Sequence, residues 1–437
     1  MSKKIRLTAA AGLALLLILA VSLAAILPAA RAQQGVRLAP PNTRSAAVVA
    51  ATASVLKETS EIRQLAILRP VKSGAQSRAE IERMIMKNMD EDETPEEMRA
   101  SELALKKLGL VPKDFQFRPF IINLLTEQVA GYYDPKTQEF YLADWIDLDG
   151  QKPVMAHELT HALQDQHFNL RRFEKWPKGD SDAELAAHAL IEGDATLVMK
   201  DYVEKNPLRA LAFARAMRLS GGSTQQFDQA PRALRESLMF PYEQGTLWSM
   251  HVFQRGGYAA LSRAYTELPQ STEQILHPEK YFSREAPVKV NLTNLAPMLG
   301  AGWKRIDYDV NGEWSYYLIL EEFLRSDAES SRAAAGWAGD RYAVYEGPHG
   351  SVFITQRTNW DTPKDAQEFL DAYAKRTTRR YTGATQTENS NEGQLARLSW
   401  TTNEGSVLIE RRGTSIVIAE GVPENANAKT LLASLWR

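Results

Sequence analysis

Apolar residues recur at spacings of three and four through most of the first 285 residues, which is the period of an amphipathic α-helix. The predicted helices lie at about residues 77–89, 94–108, 117–128, 152–167, 182–203, 232–238 and 242–253. Thr94, with Glu97 three residues later, gives one of them a capping-box start. Residues 33–60 predict a weaker helical segment to which the sequence assigns no function.

A β-hairpin is predicted between two of these helices. Residues 129–133 and 139–143 are strand-like, and the intervening Asp134 and Pro135 favour a turn. The hairpin lies directly before helix 152–167 in the sequence, so we expect the two to be neighbours in the fold.

The pattern changes near residue 285. Residues 286–310 are rich in Pro, Gly and Asn and predict a linker, after which residues 313–324 predict a helix. Strand-like segments then dominate, at 342–345, 352–355, 395–400, 407–411 and 415–420, with a helix at 363–374 inserted among them. This order is typical of a sheet domain of the α+β class.

The predicted architecture is therefore α+β with two domains. A larger catalytic domain covers residues 61–285, and a smaller C-terminal α+β sheet domain covers residues 311–437.

The N-terminal residues predict export. Three cations, Lys3, Lys4 and Arg6, precede an uncharged run from Leu7 to Ala30. Residues 1–32 are typical of a secretory signal peptide, or of an uncleaved anchor whose residues 7–27 tether the protein to a membrane. Both alternatives predict a periplasmic or extracellular location.

Composition excludes several classes of protein. Hydrophobic residues make up 44% and charged residues 24%, which is typical of a globular chain and not of a disordered or multi-span membrane protein. The net charge of −2 gives no reason to expect a nucleic-acid partner. Cysteine is absent, so disulfides and thiolate ligands are excluded, and any metal must be held by His, Asp or Glu. Oligomeric state is not predicted.

The motif with the clearest chemistry is HExxH, at His157, Glu158 and His161. On a helix, two residues four apart lie about 40° from each other, so both imidazoles face one ion. Glu158 lies beside them, where a carboxylate can take a proton from a water molecule. Apolar residues on the opposite face anchor the helix.

A third ligand is expected on the next helix. Glu184, His188 and Glu192 recur every four residues among small and apolar neighbours. We favour Glu192, because a carboxylate is a frequent third partner of two histidines. His188 is the alternative. Asp194 is expected to point elsewhere, as a solvent-facing group or one behind the ligands.

HExxH followed by Glu192 resembles the gluzincin branch of the zincin-like metallopeptidases, which includes thermolysin. The longer segment that ends in Glu192-Gly193-Asp194-Ala195 is also similar to an uncharacterised group of secreted bacterial proteins of that type. The resemblance covers about residues 60–285. In thermolysin-like enzymes an aspartate four residues after the glutamate ligand orients a histidine, whereas this chain has Thr196 there.

The resemblance implies a zincin-like fold for the catalytic domain and Zn²⁺ as cofactor, held by His157, His161 and Glu192, with Glu158 as general base. It also implies a polypeptide substrate lying extended along an edge strand. The hairpin is placed in the sequence to supply that strand, although an ordinary sheet strand is an equal alternative.

A group that stabilises the oxyanion is also required. His277 is the catalytic candidate, with Tyr281 and Tyr242 as further candidates; a histidine before Pro278 is also typical of a helix cap.

The sequence thus predicts a secreted zinc-dependent endopeptidase. Two alternatives remain: a non-catalytic envelope binding or assembly protein with a structural metal, and a zinc hydrolase of small amides or wall fragments.

Overall fold

The computed structural model describes residues 41–92, 94–176, 179–219 and 225–437. The predicted signal or anchor segment, with its tether at residues 7–27, lies outside the described residues. Within those ranges, no helix combines the length and the apolar character needed to cross a membrane.

The first part of the chain is mainly helical. Its helices are α1 (Pro41–Arg63), α2 (Arg78–Asp92), α3 (Pro95–Leu108), α4 (Phe117–Gln128), α5 (Leu148–Phe168), α6 (Ser181–Glu204), α7 (Pro207–Leu219), α8 (Gln225–Asp228), α9 (Arg232–Ala264), α10 (Thr272–Leu276) and α11 (Pro278–Ser283). The sequence predicts separate helices at 232–238 and 242–253, where α9 is continuous; α9 is instead interrupted further on, by non-helical backbone angles at Gly256 and Gly257. Pro241 lies inside α9, which packs along α6.

The predicted hairpin is present and gains a third strand. Strands β1 (Lys72–Gln76), β2 (Gly131–Asp134) and β3 (Glu139–Ala143) form a sheet in the order β1-β3-β2. Strand β3 pairs parallel with β1 and antiparallel with β2, so β2 lies at an edge of this sheet. Helix α5 contacts β2 and β3.

Helix α1 belongs to the core, although the sequence assigns this segment no function. Its buried positions 48, 52, 55, 56, 59 and 62 follow the helical period, and the helix packs against α5 and α6. Threonines occupy two of these positions, Thr52 and Thr59, and Arg63 at the end of the helix is also buried. The apolar stripe is therefore interrupted in the sequence even though the helix is packed on that face.

The last part of the chain forms an antiparallel seven-stranded sheet in the order β4-β5-β6-β10-β9-β8-β7. The strands are β4 (Lys304–Asp309), β5 (Trp337–Glu346), β6 (Val352–Trp360), β7 (Thr385–Glu392), β8 (Leu395–Thr401), β9 (Ser406–Arg412) and β10 (Ser415–Val422). The helices are α12 (Ala296–Leu299), α13 (Gly312–Leu324), α14 (Asp327–Ala334), α15 (Pro363–Arg380) and α16 (Ala428–Leu435).

Both faces of this sheet are buried. Ile416 and Ile418 of β10 pack with Phe369 of α15, whereas Val417 between them packs with Leu431 of α16. Successive side chains of a strand point to opposite faces, so this alternation places helices on both sides of the sheet. The chain is therefore of the mixed α+β class with a C-terminal sheet domain, as predicted.

Two strands differ from the sequence prediction. Strand β4 lies within the predicted linker, 286–310, and pairs with β5. Strand β7 is absent from the predicted strands, because its residues are polar and mostly exposed and it pairs with β8 alone at the sheet edge. Strand β7 lacks the apolar alternation that marks a strand in a sequence, whereas β4 alternates only briefly, at Ile306 and Tyr308, after a stretch rich in Pro, Gly and Asn.

Candidate metal centre

Helix α5 presents the HExxH side chains from a buried position. Met155, Leu159, Ala162 and Leu163 lie in the core that α5 shares with α1, α6 and α9. Asp147 caps the helix by accepting a hydrogen bond from the Gly150 N–H, and Asn169 ends it in the left-handed conformation. Anchored along its length, the helix holds His157 and His161 on one face.

Glu192 of α6 meets the two histidines. Its Oε2 lies 3.1 Å from His157 Nε2 and 3.4 Å from His161 Nε2, and the two Nε2 atoms are 3.0 Å apart. The ligand atoms of these three residues all lie within 4.8 Å of one another. The structure thus brings together the three side chains that the sequence favours as ligands.

His188, the alternative ligand, is not part of this group. It lies one turn before Glu192 on α6 and is buried, which lowers its pKa to about 4. Its Nδ1 has no hydrogen-bond partner among the described residues.

The charges of the cluster fit a cation. Burial opposes charge on both Glu192 and His161, but their mutual attraction outweighs burial, so the pKa of Glu192 is lowered and that of His161 is raised. Glu192 Oε1 is buried and has no hydrogen-bond partner among the described residues. A carboxylate that is ionised and half unsatisfied beside two imidazoles is the donor set that a divalent ion completes.

Glu158 lies between the ligands and the sheet edge. Its Oε2 accepts a hydrogen bond of 3.0 Å from the backbone N–H of Tyr133 in β2. Burial raises its pKa to about 8. The carboxyl group is therefore tied to the edge strand and holds a proton more readily than an exposed glutamate.

The three oxyanion candidates lie in different surroundings. His277 Nε2 is 2.9 Å from Glu313 Oε1 of α13, and the Tyr281 hydroxyl donates to the Glu267 carbonyl at 3.0 Å. The ring of Tyr242 stacks on His157 with 6.1 Å between centroids. Of the three, Tyr242 is the one with a described contact to a metal-ligand candidate.

A second cluster of carboxylates also has oxygens close enough together to bind a metal ion, but a lysine ammonium already lies among them. Oxygens of Glu273, Glu285 and Asp361 also lie within 4.8 Å of one another. The Lys280 ammonium lies 2.6 to 2.8 Å from all three carboxylates. The lysine supplies the cation, so this group is an ion-pair cluster and not a metal site.

Sequence reasoning misses Gln164, which lies behind His161. Of its two alternatives for Asp194, the structure agrees with a group behind the ligands, since Asp194 is fully buried and accepts a hydrogen bond from Gln164. The signal that could have found Gln164 is spacing, because it follows His161 by one turn and thus faces the same side of α5.

Comparison with known proteins gives one match. Residues 298–432, about a third of the chain, match a family described as a domain of unknown function (DUF8575). No curated protein and no solved structure matches the chain. The matched residues cover the C-terminal sheet domain and do not include the metal-centre candidates.

Proposed function

We propose that this protein is a zinc-dependent endopeptidase with a zincin-like catalytic domain, in which His157, His161 and Glu192 bind zinc and Glu158 is the general base. The observation that carries the proposal is the convergence of these three ligand atoms within 4.8 Å beside a fourth, buried carboxyl group. A site with a purely structural metal has no chemical use for Glu158 in that place.

The donor set supports zinc as the metal. Two imidazole nitrogens and one carboxylate oxygen form a set that recurs in catalytic zinc sites, where three protein ligands leave a further position open. When bound, zinc supplies the Lewis acidity that polarises a carbonyl group and makes water a better nucleophile at neutral pH.

The environment of Glu158 suits proton transfer. A general base is most effective when its pKa lies near the working pH, and burial moves the pKa of Glu158 in that direction. The Tyr133 N–H holds one carboxyl oxygen, which leaves the other to take a proton from water and to return it to the leaving amine.

The edge strand supports a polypeptide substrate. Ala130 and Ala143 form a hydrogen-bonded pair at the start of the β2–β3 ladder, so by alternation the backbone groups of Gly131 and Tyr133 point away from β3. The Tyr133 N–H is bonded to Glu158, and the outward carbonyl groups of β2 offer acceptors to an extended peptide.

A substrate can reach the proposed site only if the structure opens, because the site is buried. The four side chains are only 1–3% exposed, and Tyr242 stacks on His157. A polypeptide therefore reaches Glu158 only after covering side chains move. The same burial is the observation that favours the alternative, a non-catalytic envelope protein with a structural metal.

The test compares the full-length wild type with Glu158→Gln on a broad peptide library, with zinc content measured in parallel. We expect one zinc per chain in both proteins and a loss of about 10²–10⁴-fold in kcat in the variant, which is the usual contribution of a general base. Glu273→Gln is the matched control, because Glu273 is also buried with its pKa raised to about 8 but belongs to the Lys280 ion-pair cluster.

Equal cleavage by wild type and Glu158→Gln would remove the enzyme proposal. Zinc binding without cleavage of any peptide by the wild type would favour the structural-metal alternative. Cleavage of small amides but not of peptides would indicate a small-amide hydrolase.

We also propose that the protein is exported. This rests on residues 1–32 alone, where three cations precede a long uncharged run.

A further inference from the structure

One metal-ligand candidate has a buried partner on its second ring nitrogen. Gln164 Oε1 lies 2.8 Å from His161 Nδ1, and Gln164 is fully buried. His157 Nδ1, in contrast, is buried with no hydrogen-bond partner among the described residues. The two histidines of the motif are thus held differently.

The orientation of the Gln164 amide is fixed by what lies behind it. Its Nε2 donates to the Ile191 carbonyl at 3.1 Å and to Asp194 Oδ2 at 3.0 Å. Both partners only accept hydrogen bonds, so the nitrogen of the amide must face them and the oxygen must face His161. An oxygen at His161 Nδ1 requires a proton there, so in the neutral ring, which is the form that binds a metal, the lone pair is on Nε2 and is directed at the ligand cluster.

Asp194 is itself held by a residue of α1 and by Tyr265, which directly follows α9. Its Oδ1 lies 2.7 Å from Arg63 Nε, and both side chains are completely buried. The Tyr265 hydroxyl donates to its Oδ2 at 2.9 Å. Arg63 is the last residue of α1, and its Nη1 also donates to the Tyr258 carbonyl and to Ser262 in α9.

We propose that Gln164, Asp194 and Arg63 are positioning residues that fix the tautomer and orientation of His161 for metal binding, and that helix α1 is thereby part of the metal centre. The inference rests on the proposed function, since it concerns the same ligands. It adds that the group which orients the histidine is a carboxamide on the motif helix, backed by an aspartate two residues after Glu192 and by an arginine from α1.

This arrangement explains why Gln164, Asp194 and Arg63 are buried together, although removing polar and charged groups from water costs free energy. A buried carboxylate without a partner is strongly destabilising, so Arg63 is needed once Asp194 is present. Asp194 in turn accepts a hydrogen bond from the Gln164 amide and so holds that amide in one orientation. Groups behind metal ligands typically change metal affinity about 10- to 100-fold when they are removed.

The first experiment replaces the amide. Gln164→Met keeps the length of the side chain and removes the acceptor for His161 Nδ1. Gln356→Met is the matched control, because Gln356 is also fully buried and its amide bonds Tyr373 in the C-terminal sheet domain. The zinc dissociation constant of each full-length protein is measured by competition with a chromophoric chelator.

We expect zinc binding about 10- to 100-fold weaker in Gln164→Met and unchanged affinity in Gln356→Met. Nitrogen-15 NMR of the zinc-free proteins is a second readout that a purely structural role would not move. Recorded at a pH above the raised pKa of His161, where the ring is neutral, it should show His161 protonated on Nδ1 in the wild type and a mixture of tautomers in Gln164→Met.

The second experiment tests the link to α1. Arg63→Met should weaken zinc binding as well as stability, whereas Arg63→Lys should restore part of the zinc affinity because it retains the positive charge. Arg376→Met is the control, since Arg376 forms an equally buried ion pair with Glu420. It should lower stability without changing zinc affinity.

The outcomes separate the inference from the proposed function. A wild type that binds no zinc would overturn both. A wild type that binds zinc, with Gln164→Met binding it equally tightly, would overturn the inference alone, as would an equal loss of affinity in Gln356→Met. Should Arg63→Met fail to fold, the comparison of Gln164→Met with Gln356→Met and the NMR measurement still test whether Gln164 orients His161.

Discussion

At the scale of single residues, His277 shows how a partner changes the interpretation of a side chain. The sequence offers it as an oxyanion stabiliser, but its Nε2 lies 2.9 Å from Glu313 Oε1. The hydrogen bond that His277 donates to this carboxylate raises the pKa of His277 above its ordinary value of 6.5. The pair links the segment before α11 to α13 of the sheet domain.

The pair predicts a pH-dependent stability. A histidine whose pKa is raised in the folded state contributes stability that is complete below pH 6.5 and is lost as the pH rises through the folded pKa. The effect should stay below about 1 kcal/mol, because the side chain is 33% exposed and solvent screens the pair. Urea unfolding of wild type and His277→Gln, from about pH 6 to pH 9, measures it.

We expect the wild-type curve to fall with rising pH and the variant curve to be flatter. A parallel pair of curves would contradict this account. In a peptidase assay, a drop of about 10²-fold in kcat for His277→Gln would instead support the oxyanion role.

At the scale of elements, the position of Glu192 depends on how closely α6 crosses α9. The two helices meet at Gly193 and Gly245. A Cβ at Gly193 would lie 2.1 Å from the Gly245 carbonyl oxygen, and one at Gly245 would lie 2.2 Å from the Ala189 carbonyl oxygen. Only glycine at both positions allows this approach, and the residue directly before Gly193 is Glu192, the proposed carboxylate ligand.

Gly193→Ala should therefore damage both stability and metal binding. The methyl group meets backbone, which has no rotamer to yield, so we expect a loss of about 3 kcal/mol in the free energy of unfolding. Displacement of α6 should also weaken zinc binding. Gly74→Ala in β1 is the control, because its Cβ would meet the Tyr141 ring at an ordinary 3.4 Å. Equal stability of the two variants in urea unfolding would refute the close crossing.

At the scale of the whole molecule, the sheet domain holds the start of the helix that carries Glu192. Asp309, at the end of β4, accepts hydrogen bonds from the Ser181 backbone N–H at 3.0 Å and from the Ser181 hydroxyl. The Arg341 guanidinium of β5 donates to the Gly179 carbonyl just before α6. The C-terminal domain therefore supports the proposed metal centre through the N-terminus of α6, although none of the three proposed ligands belongs to it.

Asp309→Ala should remove the hydrogen bonds that hold the first residue of α6 to the sheet domain. Loss of hydrogen bonds to a buried carboxylate should lower the free energy of unfolding by about 2 kcal/mol. We also expect weaker zinc binding, measured by chelator competition, because α6 is released at its first turn. The control is Asp307→Ala, which removes a buried carboxylate of the same strand that bonds Tyr342 within the sheet domain. Zinc affinity that falls equally in both variants would show a general effect of destabilising β4.

The sequence by itself determined the features that depend on local spacing. Residues four apart on a helix share a face whatever the rest of the chain does, so the spacing of His157 and His161 is enough to pair them. The hairpin and the capped helix α15, with Thr362 and Asp365 at its start, are also local. Turn residues, caps and short-range periodicity each act within a few neighbouring positions.

Only the tertiary structure decided which distant residues complete the site. Glu192 and His188 lie one turn apart on the same helix, and the crossing of α6 over α5 selects Glu192 for the ligand group. Arg63 reaches Asp194 only because α1 packs on α6, and β4 becomes a strand only by pairing with β5. Such contacts join positions far apart in the chain, and their energy comes from burial and pairing that no local pattern of residues contains.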